Sequence, residues 1–351
     1  MLLLPLCVSL LNLIFGYSEI EMVFAGDAMQ HKDQLQAART SDGLYDYSTC
    51  FKDIAPMVRT ADYAVVNLET PVGDKNFSGY PCFNAPSAFA RSLADAGFSM
   101  MLTANNHCLD RSDRGLHATI DTLDAIGADH IGTYHDAAHR QESSPYIRSI
   151  SGIKVGFVNY TYGTNGIKVR GDAVVNYIDR EIIASDIAAL RDAGAEIICA
   201  AIHWGIEYKL LPNAEQRSLA DYLVSLGVDM IIGGHPHVIQ PMEIRHSDKF
   251  DKDVLIVYSL GNFISAMKTR DTRGGAMVRV KIKRGYDRKA KIEGACYHLV
   301  FTVPPTEECK NYRVMPVDEC PERWKSAARA FEQSATEIFD RHNIGVRRDV
   351  Y

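Results

Sequence analysis

The chain contains no C-x-x-C pair, no G-x-x-x-x-G-K run, no internal repeat and no low-complexity stretch. The first absence argues against a structural zinc knuckle. The second removes a P-loop nucleotide site. Positive charge is also in deficit. A formal charge of −6 offers no general attraction to nucleic acid, so none is expected as a partner, and any anionic substrate has to be held locally. No apolar run reaches the ~20 residues of a membrane span. The one at residues 1–18 has the length of a signal-peptide core and ends in the small-x-small pattern Gly16-Tyr17-Ser18, although no Lys or Arg precedes it. It is read as a cleaved leader, which makes the protein exported, to the cell envelope or periplasm. Eight cysteines become seven without the leader, an odd number that leaves at least one free thiol. Cys309 and Cys320 flank a Pro-containing loop and are expected to pair. Cys199, inside an apolar strand, reads as a small buried hydrophobe. Cys108 reads as a packing residue or a soft ligand.

What is present is ordinary in bulk. The chain has 351 residues, 46% apolar and 23% charged, enough for a sizeable core. Helical stretches are predicted over 87–96, 115–126, 181–193 and 214–226, each followed by a glycine stop. Strands are predicted over 152–159, 195–202, 228–232 and 254–258. This βαβ rhythm argues for an α/β fold with parallel pairing. Beyond Ser259 the segments 276–283 and 289–303 run without helices, as an antiparallel addition would. Residues 19–303 are read as the main domain. Residues 304–351 are read as a linker, up to Pro321, and a helix that packs on the main body through Trp324, Ala328, Phe331, Ala335 and Phe339.

Chemistry-bearing residues recur at the ends of apolar runs. Asp27 closes Met22-Val23-Phe24-Ala25-Gly26-Asp27, and Glu69 follows Ala64-Val65-Val66-Asn67-Leu68. Asn105-Asn106-His107 follows Met100-Met101-Leu102, and His203-Trp204-Gly205 ends the strand begun at Ile197. Gly233-Gly234-His235-Pro236-His237 follows Val228-Asp229-Met230-Ile231-Ile232. A lone buried histidine is usually a hydrogen-bonded core residue. Five ligand-type clusters, each at a strand end, describe one convergent site instead. Asp27 and Glu69 are hard oxygen ligands, Asn106 offers an amide oxygen, and His203, His235 and His237 offer imidazole nitrogens. This mixed set suits one or two divalent ions: Mn, Zn or Fe. Glu69 is the candidate bridge, oriented by Asn67 and Thr70. His107 adjoins Asn106 and is read as a general acid beside the metal. Asp110 either fixes its tautomer or caps the next helix. Trp204 and Glu207 either shape the pocket wall or, for Trp204, pack under the loop. Lys268, Arg270 and Arg273 form either an anion clamp or a solvated basic loop. Asn262 is a further candidate for substrate contact.

Taken in order, Gly26-Asp27-x-Met29, Asn67-Leu68-Glu69-Thr70, Asn105-Asn106-His107-x-x-Asp110, His203-Trp204-Gly205-x-Glu207, Gly234-His235-Pro236-His237 and Ser259-Leu260-Gly261-Asn262-Phe263 resemble the bacterial capsule synthesis (CapA) family of poly-γ-glutamate capsule proteins. The resemblance covers roughly residues 20 to 300. It implies the calcineurin-like metallophosphoesterase superfamily: a four-layer α/β/β/α sandwich with two packed mixed sheets and a two-metal site at the strand ends. On that resemblance Asp27 stands for the first metal ligand, Glu69 for the bridging aspartate, Asn106 and His107 for the Asn-His pair, His203 for the lone strand-end histidine, and His235 and His237 for the final pair. Two departures stand out. Met29 occupies the place of a histidine ligand, with His31 two residues on, and the bridge is Glu in place of Asp. The function implied is a metal-dependent hydrolase of capsule-polymer biosynthesis, acting on an anionic polymer or on a phosphoester or amide substrate. The alternative is a non-catalytic scaffold that meets membrane capsule-synthesis subunits. An intracellular nucleotide phosphatase, a third reading, requires the leader to be an artefact.

Overall fold

Runs of Val, Ile, Met and Ala that carry no polar residue on either face form strands buried on both sides, as parallel sheets require. A computed structural model describes residues 18–73 and 75–349. The expected leader lies outside the described residues except for Ser18, which opens the first strand.

The first sheet has nine strands. Its parallel half is β1 (Ser18–Ala28), β2 (Tyr63–Leu68), β5 (Met100–Leu102) and β6 (Asp129–Ile131). Its antiparallel half is β16 (Gly274–Arg284), β17 (Ala290–Val303) and β18 (Arg313–Pro316), with β16 paired to β1. β15 (Asn262–Ile264) runs parallel beside β1, and β19 (Arg347–Arg348) parallel beside β17. The second sheet has the order β13 (Ile239–Ser247), β14 (Lys252–Leu260), β12 (Met230–Gly234), β11 (Ile197–His203), β9 (Ile153–Thr161), β8 (Tyr146–Ile150), with parallel pairing from β14 to β9. Two short ribbons, β3 (Val72–Gly73) with β4 (Ala85–Pro86) and β7 (Thr133–Tyr134) with β10 (Val174–Val175), complete the strands.

Helices are α1 (Lys32–Ala38), α2 (Ala55–Arg59), α3 (Ser87–Ala96), α4 (Ser112–Ile126), α5 (Ala137–Glu142), α6 (Arg180–Asp192), α7 (Ala214–Ser225) and α8 (Glu322–His342). Their ends follow local chemistry. Gly97 and Gly127 stop α3 and α4 at φ +117° and +72°, which a side chain would resist. The Asp179 carboxylate caps α6, and Asn213 with Gln216 forms a capping box on α7.

One core is filled from both sheets, by Phe24, Val65, Met100 and Val278 on one side and Val155, Cys199, Met230 and Leu255 on the other. The opposite face of β1 and β2 packs on α2 and α3 through Val58, Phe89 and Leu93. The opposite face of β9, β11 and β12 packs on α6 and α7 through Ile183, Ile187 and Leu223. Ala328, Phe331, Ala335 and Phe339 of α8 join the first core. The stretch 304–321, expected as linker, contributes a paired strand, β18, because Val314 and Met315 have apolar surface to bury. The expected Cys309–Cys320 pair does not form. All seven described cysteines are free: the Cys309 thiol faces the Thr49 hydroxyl and Cys320 the Pro316 carbonyl. Among the described residues no helix is long and apolar enough to cross a membrane.

Candidate metal centre

Parallel strands present their C-terminal ends to one edge, where ligands gather in open α/β sheets. Here both sheets do so at the same place. β1 brings Asp27, the chain beyond β2 brings Glu69, and the chain beyond β5 brings Asn105, Asn106 and His107. β11 ends on His203, and the turn after β12 carries His235 and His237.

That turn is strained. His235 and His237 have φ of +97° and +57°, in the region side chains avoid. Gly234 makes the approach possible, since a Cβ there would lie 2.7 Å from Asp27 Oδ1.

All these side chains are buried. Asp27 Oδ2 lies 3.3 Å from His237 Nδ1 and accepts the His235 backbone N–H at 3.2 Å. Asn67 Nδ2 donates to Asp27 Oδ1 at 2.8 Å and reaches Glu69 Oε2 at 3.5 Å. Asn106 Oδ1 sits 2.8 Å from His203 Nε2. Two sets of ligand atoms lie within 4.8 Å of one another, Glu69 with His235 and His237, and Asp27 with Glu69 and His203. Glu69 belongs to both.

Two atoms of this cluster, Glu69 Oε1 and His235 Nδ1, are buried with no hydrogen-bond partner among the described residues. Such atoms cost roughly 1–3 kcal/mol each when left unsatisfied. Burial and the neighbouring Asp27 charge push the Glu69 carboxyl well above its usual range. Burial works to raise Asp27 too, but His237, His203 and Asn67 outweigh it and hold it at about 2. Burial would lower His237, yet Glu69 and Asp27 carry it up to about 9. Burial takes His203 down to about 3, and burial with the other histidines takes His235 down to about 2. His203 and His235 are held as neutral imidazoles, as ligation requires, and a divalent ion would displace the protons that His237 and Glu69 retain without it, so the donor set fits such an ion.

His107 stands outside both ligand sets. Its Nδ1 lies 2.8 Å from Asp110 Oδ2, and the same oxygen accepts the Phe83 N–H at 2.7 Å. Asp110 thus fixes the ring and is not a helix cap, since Arg111 occupies that position. The Phe83 ring meets His107 edge-on at 4.6 Å. Met29 is buried, and its N–H donates to Ile264. His31 Nδ1 accepts the Ala266 N–H at 3.3 Å and faces Gln34, so that nitrogen is held by the loop.

The expected substrate contacts separate. Asn67 is here, tying the ligands together. Glu207 is near enough for its charge to act on His203, His237, Tyr162 and Tyr208. Asn262 is buried, and its Oδ1 lies 3.1 Å from His237 Nδ1, so it orients a ring in place of meeting substrate. Trp204 is buried, donates to the Tyr258 carbonyl at 2.9 Å and stacks on that ring. Arg273 lies elsewhere, its guanidinium 4.6 Å from the Trp324 ring centre and 5.2 Å from that of Phe301.

Three residues went unread in the sequence. Tyr162, half exposed, covers His235 with ring centres 4.5 Å apart. Asn165 accepts from Asn106 at 3.2 Å and reaches His107 Nδ1 at 3.5 Å. Asn159 joins the sheets: its Oδ1 accepts the Ala104 N–H at 2.8 Å and its Nδ2 donates to Ala201 at 3.2 Å. A polar residue inside the apolar strand Val155–Tyr160 was the available signal for Asn159.

The profile of the family described as bacterial capsule synthesis protein PGA_cap matches residues 21–267. The chain is 27% identical over 289 residues to the PGA biosynthesis protein CapA of Bacillus subtilis, covering 80% of this chain and 72% of that protein. It is 24% identical over 280 residues to the capsule biosynthesis protein CapA of Bacillus anthracis, covering 76% of this chain and 64% of that one. In fold it is similar to the NAD nucleotidase of Haemophilus influenzae, with a TM-score of 0.50 and 12% identity over 95% of this chain and 57% of the nucleotidase. The chain thus spans under two thirds of the B. anthracis relative and little more than half of the nucleotidase. The nucleotidase likeness concerns the fold alone, which is mixed α/β.

Proposed function

This chain belongs to the bacterial capsule synthesis family PGA_cap, and on that premise we propose that it is a metal-dependent hydrolase of capsule-polymer biosynthesis at the cell envelope. Its substrate is an anionic polymer of the poly-γ-glutamate kind, or a phosphoester or amide precursor of one. The observation that carries this reading is Glu69, shared by two ligand sets and left with a buried oxygen that has no hydrogen-bond partner among the described residues.

Asp27, Glu69, Asn106, His203, His235 and His237 would hold one or two ions of Mn, Zn or Fe. A bound ion supplies Lewis acidity and lowers the pKa of water at neutral pH. Asn67 and Asn262 hold the ligands in place. His107 keeps one proton at Nδ1 toward Asp110 and delivers another from Nε2 to the leaving group. Tyr162 and Glu207 border the entrance and limit water and substrate access.

The test is elemental analysis of full-length, untagged protein, followed by assays on phosphodiesters and γ-glutamyl amides. One or two equivalents of Mn, Zn or Fe, with metal-dependent hydrolysis, is the expected result. Metal without hydrolysis of either class would overturn the enzyme in favour of the scaffold reading. That second reading has its own support: buried Met29 replaces an expected ligand, and His31 Nδ1 is held by the loop.

A further inference from the structure

A second group of ligand types lies on the antiparallel half of the first sheet, away from the strand ends that build the metal centre. Cys296 and His298 are two residues apart on β17 and therefore share a face. Asp349, just beyond β19, faces both. Its Oδ2 is 3.7 Å from Cys296 Sγ and 3.4 Å from His298 Nε2. The three ligand atoms all fall within 4.8 Å of one another.

These separations have a meaning. Zinc bonds of ~2.0–2.3 Å in a tetrahedron put neighbouring ligand atoms ~3.3–3.8 Å apart. The two edges that meet at Asp349 Oδ2 lie inside that range. The scaffold is also set in advance. Asp349 N–H donates to Tyr297 at 2.9 Å, and Arg348 pairs with Glu332 on α8 at 2.6 Å and with Asp318 at 3.0 Å. Arg279 is the cation nearest Cys296 across the ladder, and Glu21 neutralises it at 2.6 Å. Asp349 is exposed, which leaves room for a water as fourth ligand.

We propose that Cys296, His298 and Asp349 form a second metal site, for a borderline divalent ion of the zinc type, that fastens the C-terminal strand β19 to β17. Thiolate, imidazole and carboxylate together favour zinc over magnesium or calcium. The site is independent of the hydrolase reading.

Cobalt(II) distinguishes it from the first centre. The first centre has no thiol among its ligands, and Cys108, next to His107, is buried with Leu109 and Leu116. Full-length protein, stripped of metal and titrated with cobalt, is expected to develop a thiolate-to-cobalt charge-transfer band in the near ultraviolet. Cys296→Ser is expected to abolish the band and lower the stoichiometry by one equivalent. Asp349→Asn, at an exposed position, is expected to weaken the band's titration about tenfold or more with the fold intact. Failure of the band to appear in the parent protein, or its persistence in Cys296→Ser, overturns the proposal.

Discussion

At His107, one ring nitrogen is committed and the other is not. Nδ1 faces Asp110 Oδ2 at 2.8 Å, so exchange with a substrate falls to Nε2. His107→Ala is expected to lower turnover by ~10²–10⁴-fold while metal content stays unchanged. Loss of metal in that variant would instead place His107 among the ligands. Asn262 acts on a ligand in a different way, by orienting His237 through its amide oxygen. Asn262→Ala is expected to weaken metal binding ~10–100-fold, read by competition with a chelator. Unchanged affinity would remove that role. Residue types and strand-end positions were legible in the sequence, and the structure gathers Asp27, Glu69, Asn106, His203, His235 and His237. Directions were not legible. Asn262 turns inward because β15 lies beside β1, and Arg273 turns onto Trp324 because α8 packs there, both placements set by long-range packing. Tyr162 and Asn165 become neighbours of the ligands only once β9 and β11 stand side by side.

Elements were easiest to read where apolar runs met a glycine stop, as in α3 and α4, or ended in a polar cluster, as in β11 and β12. The strand β18 was hidden by the prolines around it, and it pairs with the last residues of β17, Val300 to Val303. The stripe on α8 joins the first core through Ala328, Phe331, Ala335 and Phe339. Phe331 is buried 6.2 Å from the Phe301 ring, and Gly274 lets it approach, because a Cβ there would lie 2.6 Å from the Phe331 ring. Phe331→Ala is expected to cost about 3–5 kcal/mol, measured by urea unfolding. A cost under about 1 kcal/mol would show that α8 is not part of the cooperative core.

For the whole molecule, a bound ion would contribute to stability, because the ligand set exists only in the folded chain. In the Cys296→Ser background, so that only the strand-end centre reports, chelation is expected to lower the melting temperature. At a free metal concentration of about 100 times Kd, the stabilisation lost is about 2.7 kcal/mol. Identical melting with and without chelator would mean that no ion occupies the centre.

The placement of Asn159 carries a consequence for how such a chain can fail. Its amide oxygen holds the chain just beyond β5 of the first sheet and its amide nitrogen holds β11 of the second, close to ligands drawn from both. Neither half of the chain owns the centre. It exists at a seam above the core that the two sheets share. A change there that shifts the ligands and leaves the shared core packed would empty the centre in a folded chain, so a silent protein here need not be an unfolded one.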